Sequence, residues 1–157
     1  MGKIKIGGII QNQRLAALSI LGITDRPGIA AEVLNALGEH HISIQFIAQL
    51  IDFQRQDHLC LCIARDSLRI ALPLAQAAAD KVGAQALHCA EEVSLISIFG
   101  PDFRERPGIA GAMFAALAAQ NINILAISTS ISTVSCVIDA QHLASAGAAL
   151  RETFELP

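Results

Sequence analysis

The heptapeptide Thr24-Asp25-Arg26-Pro27-Gly28-Ile29-Ala30 sets a carboxylate, a proline and a glycine where an apolar run, Leu15 to Ile23, gives way to a helical pattern. Such a turn leaves the N–H groups of Gly28, Ile29 and Ala30 pointing out of a helix start, where they and the helix dipole favour a carboxylate. Gly28 lets a ligand approach the backbone with no Cβ in the way, and Pro27 presets φ at the expected first helical position. Asp25, just upstream, offers an acceptor for an ammonium group. A carboxylate acceptor beside an ammonium acceptor is the charge pattern that fits a free α-amino acid. The same residues also read as a plain cap, Thr24 or Asp25 followed by proline at the first helical position, and that alternative stays open.

The pentapeptide Arg26-Pro27-Gly28-Ile29-Ala30 recurs letter for letter as Arg106-Pro107-Gly108-Ile109-Ala110, so one half of the chain repeats the other. Upstream, Leu18-Ser19-Ile20-Leu21-Gly22 stands against Ile96-Ser97-Ile98-Phe99-Gly100, and the second copy carries two extra residues between strand and helix. That second turn, Pro101-Asp102-Phe103-Arg104-Glu105, has Glu105 where the first has Asp25. The differing geometry points to one kind of functional pocket, built on the first copy.

These turns require elements to position them. Apolar runs of strand length, Leu15 to Ile23 and Val93 to Phe99, precede the turns. Ile29, Ala30, Val33, Leu34, Leu37 and Ile109, Ala110, Met113, Phe114, Leu117 then form one apolar stripe on each helix. Strands are predicted over Ile42 to Ile51 and Ile122 to Ile131, with hairpin partners over Leu59 to Ala64 and Val134 to Ile138, joined by polar turns that include Asp52 to Asp57. Second helices follow over Ser67 to Val82 and Gln141 to Phe154. Gln85 to Cys89 supplies a last strand to the first copy, whereas the second copy has none, and Lys3 to Gln11 is a spare strand at the other end. The economical arrangement is an α+β fold of two ferredoxin-like βαββαβ modules, residues 13–92 and residues 3–12 plus 93–157, the amino-terminal strand completing the second module.

Composition narrows the function. The chain of 157 residues has a formal charge of −3, 4% aromatic residues and neither Trp nor Tyr, so it lacks the basic stripe and stacking rings of a nucleic-acid binder. Its apolar runs fall well short of the roughly 20 residues of a membrane span, and its start carries no apolar signal core. A cytoplasmic protein with four reduced thiols is expected.

Other constellations read as structural. His58, Cys60 and Cys62 share one face of a strand, but alternate residues lie about 6.6 Å apart, too far for ligands that each approach one zinc ion to about 2.0–2.3 Å. Cys89 and Cys136 are expected in the core. His40-His41 falls at a helix end, where imidazole caps well, and Asp66 and Asp139 read as helix openers. No metal or cofactor is implied.

The stretch Gly22 to Ala30, the later Phe103 to Ala110, and Asn121-Ile122-Asn123-Ile124 with Ile127-Ser128-Thr129-Ser130 resemble the tandem ACT regulatory region of aspartokinases, over nearly the whole chain. The leading Ile6-Gly7-Gly8-Ile9 is similar to the strand that joins the second ACT unit in that family. The resemblance implies feedback control of aspartate-family biosynthesis by lysine, threonine or both, the effector lying where an ACT unit of one chain meets the other unit of a partner in a homodimer. Carried onto this sequence, Asp25, Gly28, Ile29, Ala30 and Gln49 hold the effector from the first unit, and Asn123 and Ile124 from the second. Leu50 stands where the family usually has Asn, and Ile131 where it usually has Glu. The sequence holds no glycine-rich phosphate loop and leaves no room for a nucleotide-binding fold. The expectation is a regulatory part, with an aspartokinase catalytic subunit as a further partner, rather than an enzyme. A module that only holds dimers together, without ligand, is the alternative of a different class.

Overall fold

The structure, a computed structural model, describes residues 2–101 and 103–157; Met1 and Asp102, a member of the second turn, lie outside the described residues. The chain divides into two compact units, Arg14–Glu92 and Met1–Gln13 with Val93–Pro157. The elements in chain order are β1 (Ile4–Lys5), β2 (Gly8–Thr24), α1 (Ile29–Gly38), β3 (Phe46–Ile51), β4 (Gln56–Ala64), α2 (Leu68–Lys81), β5 (Ala86–Phe99), α3 (Ile109–Ala119), β6 (Ala126–Thr129), β7 (Thr133–Asp139), α4 (Leu143–Thr153) and β8 (Phe154–Glu155).

In the first unit β4 pairs antiparallel with β2 on one side and β3 on the other. Period-two alternation sends Leu59, Leu61 and Ile63 of β4 to the helix-covered face, where they pack with Leu18, Ile20 and Ile23 and with Ile29, Val33 and Leu37 of α1. Each such side chain contributes about 1.5–3 kcal/mol when fully buried. Between Ile20↔Leu59 and Ile23↔Asp57 the register slips, two β2 residues, Leu21 and Gly22, opposing His58 alone. This bulge returns Ile23 to the buried face just before the turn into α1.

The second unit repeats the plan. β7 pairs antiparallel with β5 and β6, and Ile96, Ile98, Ile109, Met113, Leu117 and Cys136 form its core. Ile6 joins that core, and the Gly7 N–H donates to the Phe99 carbonyl at 2.6 Å. The amino-terminal strand therefore completes the second unit, as the strand count requires. The carboxyl end, for which the sequence predicts no strand, adds β8, parallel to β1 with Ile4 opposite Phe154.

Boundaries differ from expectation in three ways. The strand expected over Lys3 to Gln11 breaks at Ile6 and Gly7 into β1 and the start of β2, and β2 then runs on through Leu15 to Ile23. Gln85 to Cys89 and Val93 to Phe99 likewise merge in β5, because the links at 12–14 and 90–92 hold no Gly or Pro to end the ladder. The strands expected from Ile42 and Ile122 begin at Phe46 and Ala126. Those isoleucines instead close the helices, donating their N–H groups to the Leu37 and Leu117 carbonyls at 3.2 and 3.0 Å after the left-handed residues His41 and Asn121. Pro27 and Pro107 precede the N-cap rather than opening the helix, because Gly28 and Gly108 occupy the N-cap with φ of 96° and 91°. Among the described residues, no helix is long and apolar enough to cross a membrane.

Candidate functional site

The entrance to α1 is built by β2 and the β3–β4 turn. Thr24 pairs with Gln56, and the Asp25 N–H donates to the Arg55 carbonyl at 3.0 Å, which brings the end of β2 against the turn. The chain then enters α1 through left-handed Gly28, and no side chain caps the helix. The Gly28 carbonyl accepts the Glu32 N–H at 3.0 Å, the first bond of the helix ladder. The first turn thus presents amide donors and the positive end of the dipole to anything anionic. Nothing lies within 4 Å of where a Cβ would stand on Gly28, so the backbone is open on that side. Ile29 is buried in the core below, and Ala30 is half-buried.

Around the outer side of α1, Glu32 bonds Lys81 at 2.7 Å and lies 3.6 Å from Arg26. Lys81, and then Arg26, hold the Glu32 carboxyl below its ordinary range. Gly28, Arg26, Glu32 and Lys81 line a depression of about 510 Å³.

Asp25 and Asp57 stand at the end of the sheet that leads into α1. Asp25 carries Arg55 on its Oδ2 at 3.2 Å, so the acceptor expected to be free for an ammonium is engaged by the chain's own guanidinium. Arg55 is 80% exposed in its side chain, and such a surface pair is worth only about 0–1 kcal/mol, which a ligand can displace. The second carboxylate is Asp57, expected in the polar turn from Asp52 to Asp57. It lies within β4 opposite Ile23 and Ile51, is 1% exposed, and accepts the Gln49 Nε2 donor at 2.7 Å. Gln49 itself is exposed on β3, two pairs along, opposite Leu59. The sequence signal for Asp57 was its place in the period-two series with Leu59, Leu61 and Ile63.

Asp25, Gly28, Ile29, Ala30 and Gln49 therefore all belong to the first unit. Asn123 and Ile124 belong to the second, in the connector from α3 to β6, Asn123 exposed and Ile124 packed against the second core. The counterpart entrance to α3 has the same left-handed, uncapped glycine, Gly108, but its neighbours differ: Lys5, Glu105 and Arg106 line a depression of about 680 Å³.

His58 serves the bulge. Its Nδ1 accepts the Gly22 N–H at 3.2 Å and its Nε2 lies 2.8 Å from Asp52 Oδ2, an arrangement that fits the tautomer with its proton on Nε2. Asp52 is in turn held below its ordinary carboxylate range, first by His58 and then by the Gln56 N–H. Cys60 and Cys62 follow on the same face of β4; burial raises both thiols, Cys62 to about 12, so neither is a ready nucleophile. His40 Nδ1 lies 3.3 Å from the Ala36 carbonyl at the end of α1, and Asp139 Oδ1 accepts the Gln141 N–H at 3.1 Å, both at helix termini.

Residues 17–67 and residues 96–154 each match the ACT domain family. An aspartate kinase of Stutzerimonas stutzeri is 34% identical over 151 residues, which cover 96% of this chain and 37% of that protein. An aspartokinase of Helicobacter pylori is 32% identical over 154 residues, again 37% of its length. The chain thus spans little more than a third of the curated relatives it matches. Among solved structures, the ligand-free regulatory subunit of aspartate kinase from Thermus thermophilus superposes with a TM-score of 0.86 at 27% identity, over 96% of this chain and 99% of that one. A structure of aspartokinase alpha and beta subunits gives 0.85 at 27% identity, over 94% and 97%.

Proposed function

Because the chain belongs to the ACT-domain family, with two such domains in tandem that match the regulatory part of aspartokinases and not their catalytic domain, we propose that it binds free lysine or threonine and so exerts feedback control on an aspartokinase. The observation that carries this reading is the entrance to α1. A left-handed glycine, an uncapped first turn and open space above the backbone form a seat for the ligand's carboxylate. Asp25, Gly28, Ile29, Ala30 and Gln49 are the proposed contacts of the first unit. Asn123 and Ile124 enter as contributions of the second unit, on the family resemblance alone. The catalytic partner is proposed from the similarity to aspartokinase alpha and beta subunits, and a homodimer from the same family. Isothermal titration of the chain with L-lysine and with L-threonine tests the reading: saturable binding of at least one supports it, and heat of dilution alone for both removes it.

One feature favours an assembly role beside the regulatory one. Ile47, Leu50 and Ile51 of β3 are 38%, 67% and 36% exposed, an apolar strand that suits burial against another chain. Sedimentation with and without effector separates the two roles, since a tight dimer indifferent to every amino acid belongs to assembly alone.

A further inference from the structure

Asp57 is the one buried carboxylate among the described residues, and its bonding is incomplete. Oδ2 accepts from Gln49, whereas Oδ1, also removed from solvent, has no hydrogen-bond partner. A buried carboxylate oxygen without a donor is unfavourable, and buried charges persist where a cation or several donors meet them. The nearest guanidinium in sequence does not serve, because Arg55 is committed to Asp25 and points to solvent.

The position of Asp57 matters as much as its unmet oxygen. It lies on the helix-covered face of β4 opposite Ile23, two residues before Asp25 and at the end of the sheet from which the chain turns into α1. Its single donor, Gln49, is an exposed side chain on β3, able to swing aside without disturbing a strand. An anion beneath a movable amide, at the end of the sheet from which the chain enters the amide donors of α1, is complementary to a molecule bearing both a carboxylate and an ammonium group.

We propose that Asp57 is the anionic subsite for a primary ammonium group of the amino-acid effector, with Gln49 as the side chain that yields to it. The inference rests on the effector reading above and moves the ammonium from Asp25, which already holds Arg55, to Asp57.

The test measures Kd by titration for L-lysine and L-threonine on the wild-type chain, Asp57→Asn and Asp25→Asn. Asp57→Asn keeps the shape and a partner for Gln49 while removing the charge. It is expected to weaken whichever amino acid binds by about ten- to a hundredfold, the range for a charged hydrogen bond, and to leave unliganded stability equal or higher. Asp25→Asn is expected to lose less than about tenfold, because Asp25 lies beside the ligand while its charge is met by Arg55 in a solvent-screened pair. If lysine binds, 6-aminohexanoate and L-norleucine, each lacking one of its two ammonium groups, identify the group on Asp57: the analogue missing that group is insensitive to Asp57→Asn. Wild-type affinity in Asp57→Asn overturns the subsite and leaves the effector reading standing. A tenfold or larger loss in Asp25→Asn also overturns it, and this arm holds even if Asp57→Asn fails to fold. A wild-type chain that binds neither amino acid overturns the effector reading and the subsite together.

Discussion

The N–H of Gly7 donates to the carbonyl of Phe99 at 2.6 Å, and the Phe99 ring lies across Gly7 and Gly8. A methyl group on Gly7 would stand 2.9 Å from the ring and 3.2 Å from the Phe99 carbonyl oxygen, whereas on Gly8 it would meet the ring alone, at 2.8 Å. The ring is 36% exposed and can turn away; the carbonyl is held in the strand and cannot. Gly7→Ala is therefore expected to cost about 1–3 kcal/mol, the range for overpacking, and Gly8→Ala less. In chemical denaturation, adding Phe99→Ala should abolish the penalty of Gly8→Ala and leave part of that of Gly7→Ala.

Gly28 and Gly108 separate a structural effect from a binding effect. Both are left-handed, with open space where a Cβ would go, so alanine at either position meets backbone strain and no clash. Each substitution should destabilise by about 1–2 kcal/mol. Only Gly28→Ala should also weaken lysine or threonine binding, because only that turn is proposed to seat the ligand. Melting curves with and without effector compare the two.

Acid stability should carry the signature of Asp52. Its carboxyl is held below the ordinary value of 3.8, so the stabilisation is fully present above that pH and is lost as pH falls through the lower folded value. Asp52→Asn should flatten the acid limb of stability against pH. The alkaline limb belongs in part to Lys81, raised above 10.5 first by its hydrogen bond to Glu32, so its contribution is present below 10.5 and is lost as pH climbs beyond it. Glu32→Gln should remove that limb's dependence on Lys81 in the same denaturation series.

Thiol chemistry should sort by burial. Cys62 and Cys136 are fully buried and pushed up to about 12, while Cys60 and Cys89 are raised but half-buried. At pH 8 a disulfide reagent should leave Cys62 and Cys136 unmodified in the folded chain and react with all four cysteines after denaturation. Rapid reaction of Cys62 or Cys136 in the native state would contradict this.

The architecture was legible because it is written twice. One copy of Arg-Pro-Gly-Ile-Ala marks a common helix start; two copies with matching strands before them and apolar stripes after them specify a doubled module. The unmatched strand at Lys3 to Gln11 then had a sheet to complete. The helix start is two residues later than expected because Pro27 fits the first helical position by type, while the positive φ of Gly28 is a backbone property that no neighbouring letter records. Asp57 was hidden among Asp52, Gln54, Arg55 and Gln56, where polarity outweighed its alternation with Leu59 and Leu61. The Arg55 guanidinium on Asp25 and the His58 imidazole on the Gly22 bulge each join residues about thirty or more positions apart, which local pattern does not encode.

The central claim is that the uncapped start of α1 seats a free amino acid. Thermal unfolding of the intact chain against each of the twenty amino acids tests it most directly. At about 100 times Kd the effector should stabilise the chain by roughly 2.7 kcal/mol, raising Tm by about 5–10 °C, with lysine or threonine standing out from the rest. A panel in which neither lysine nor threonine moves Tm would contradict the account.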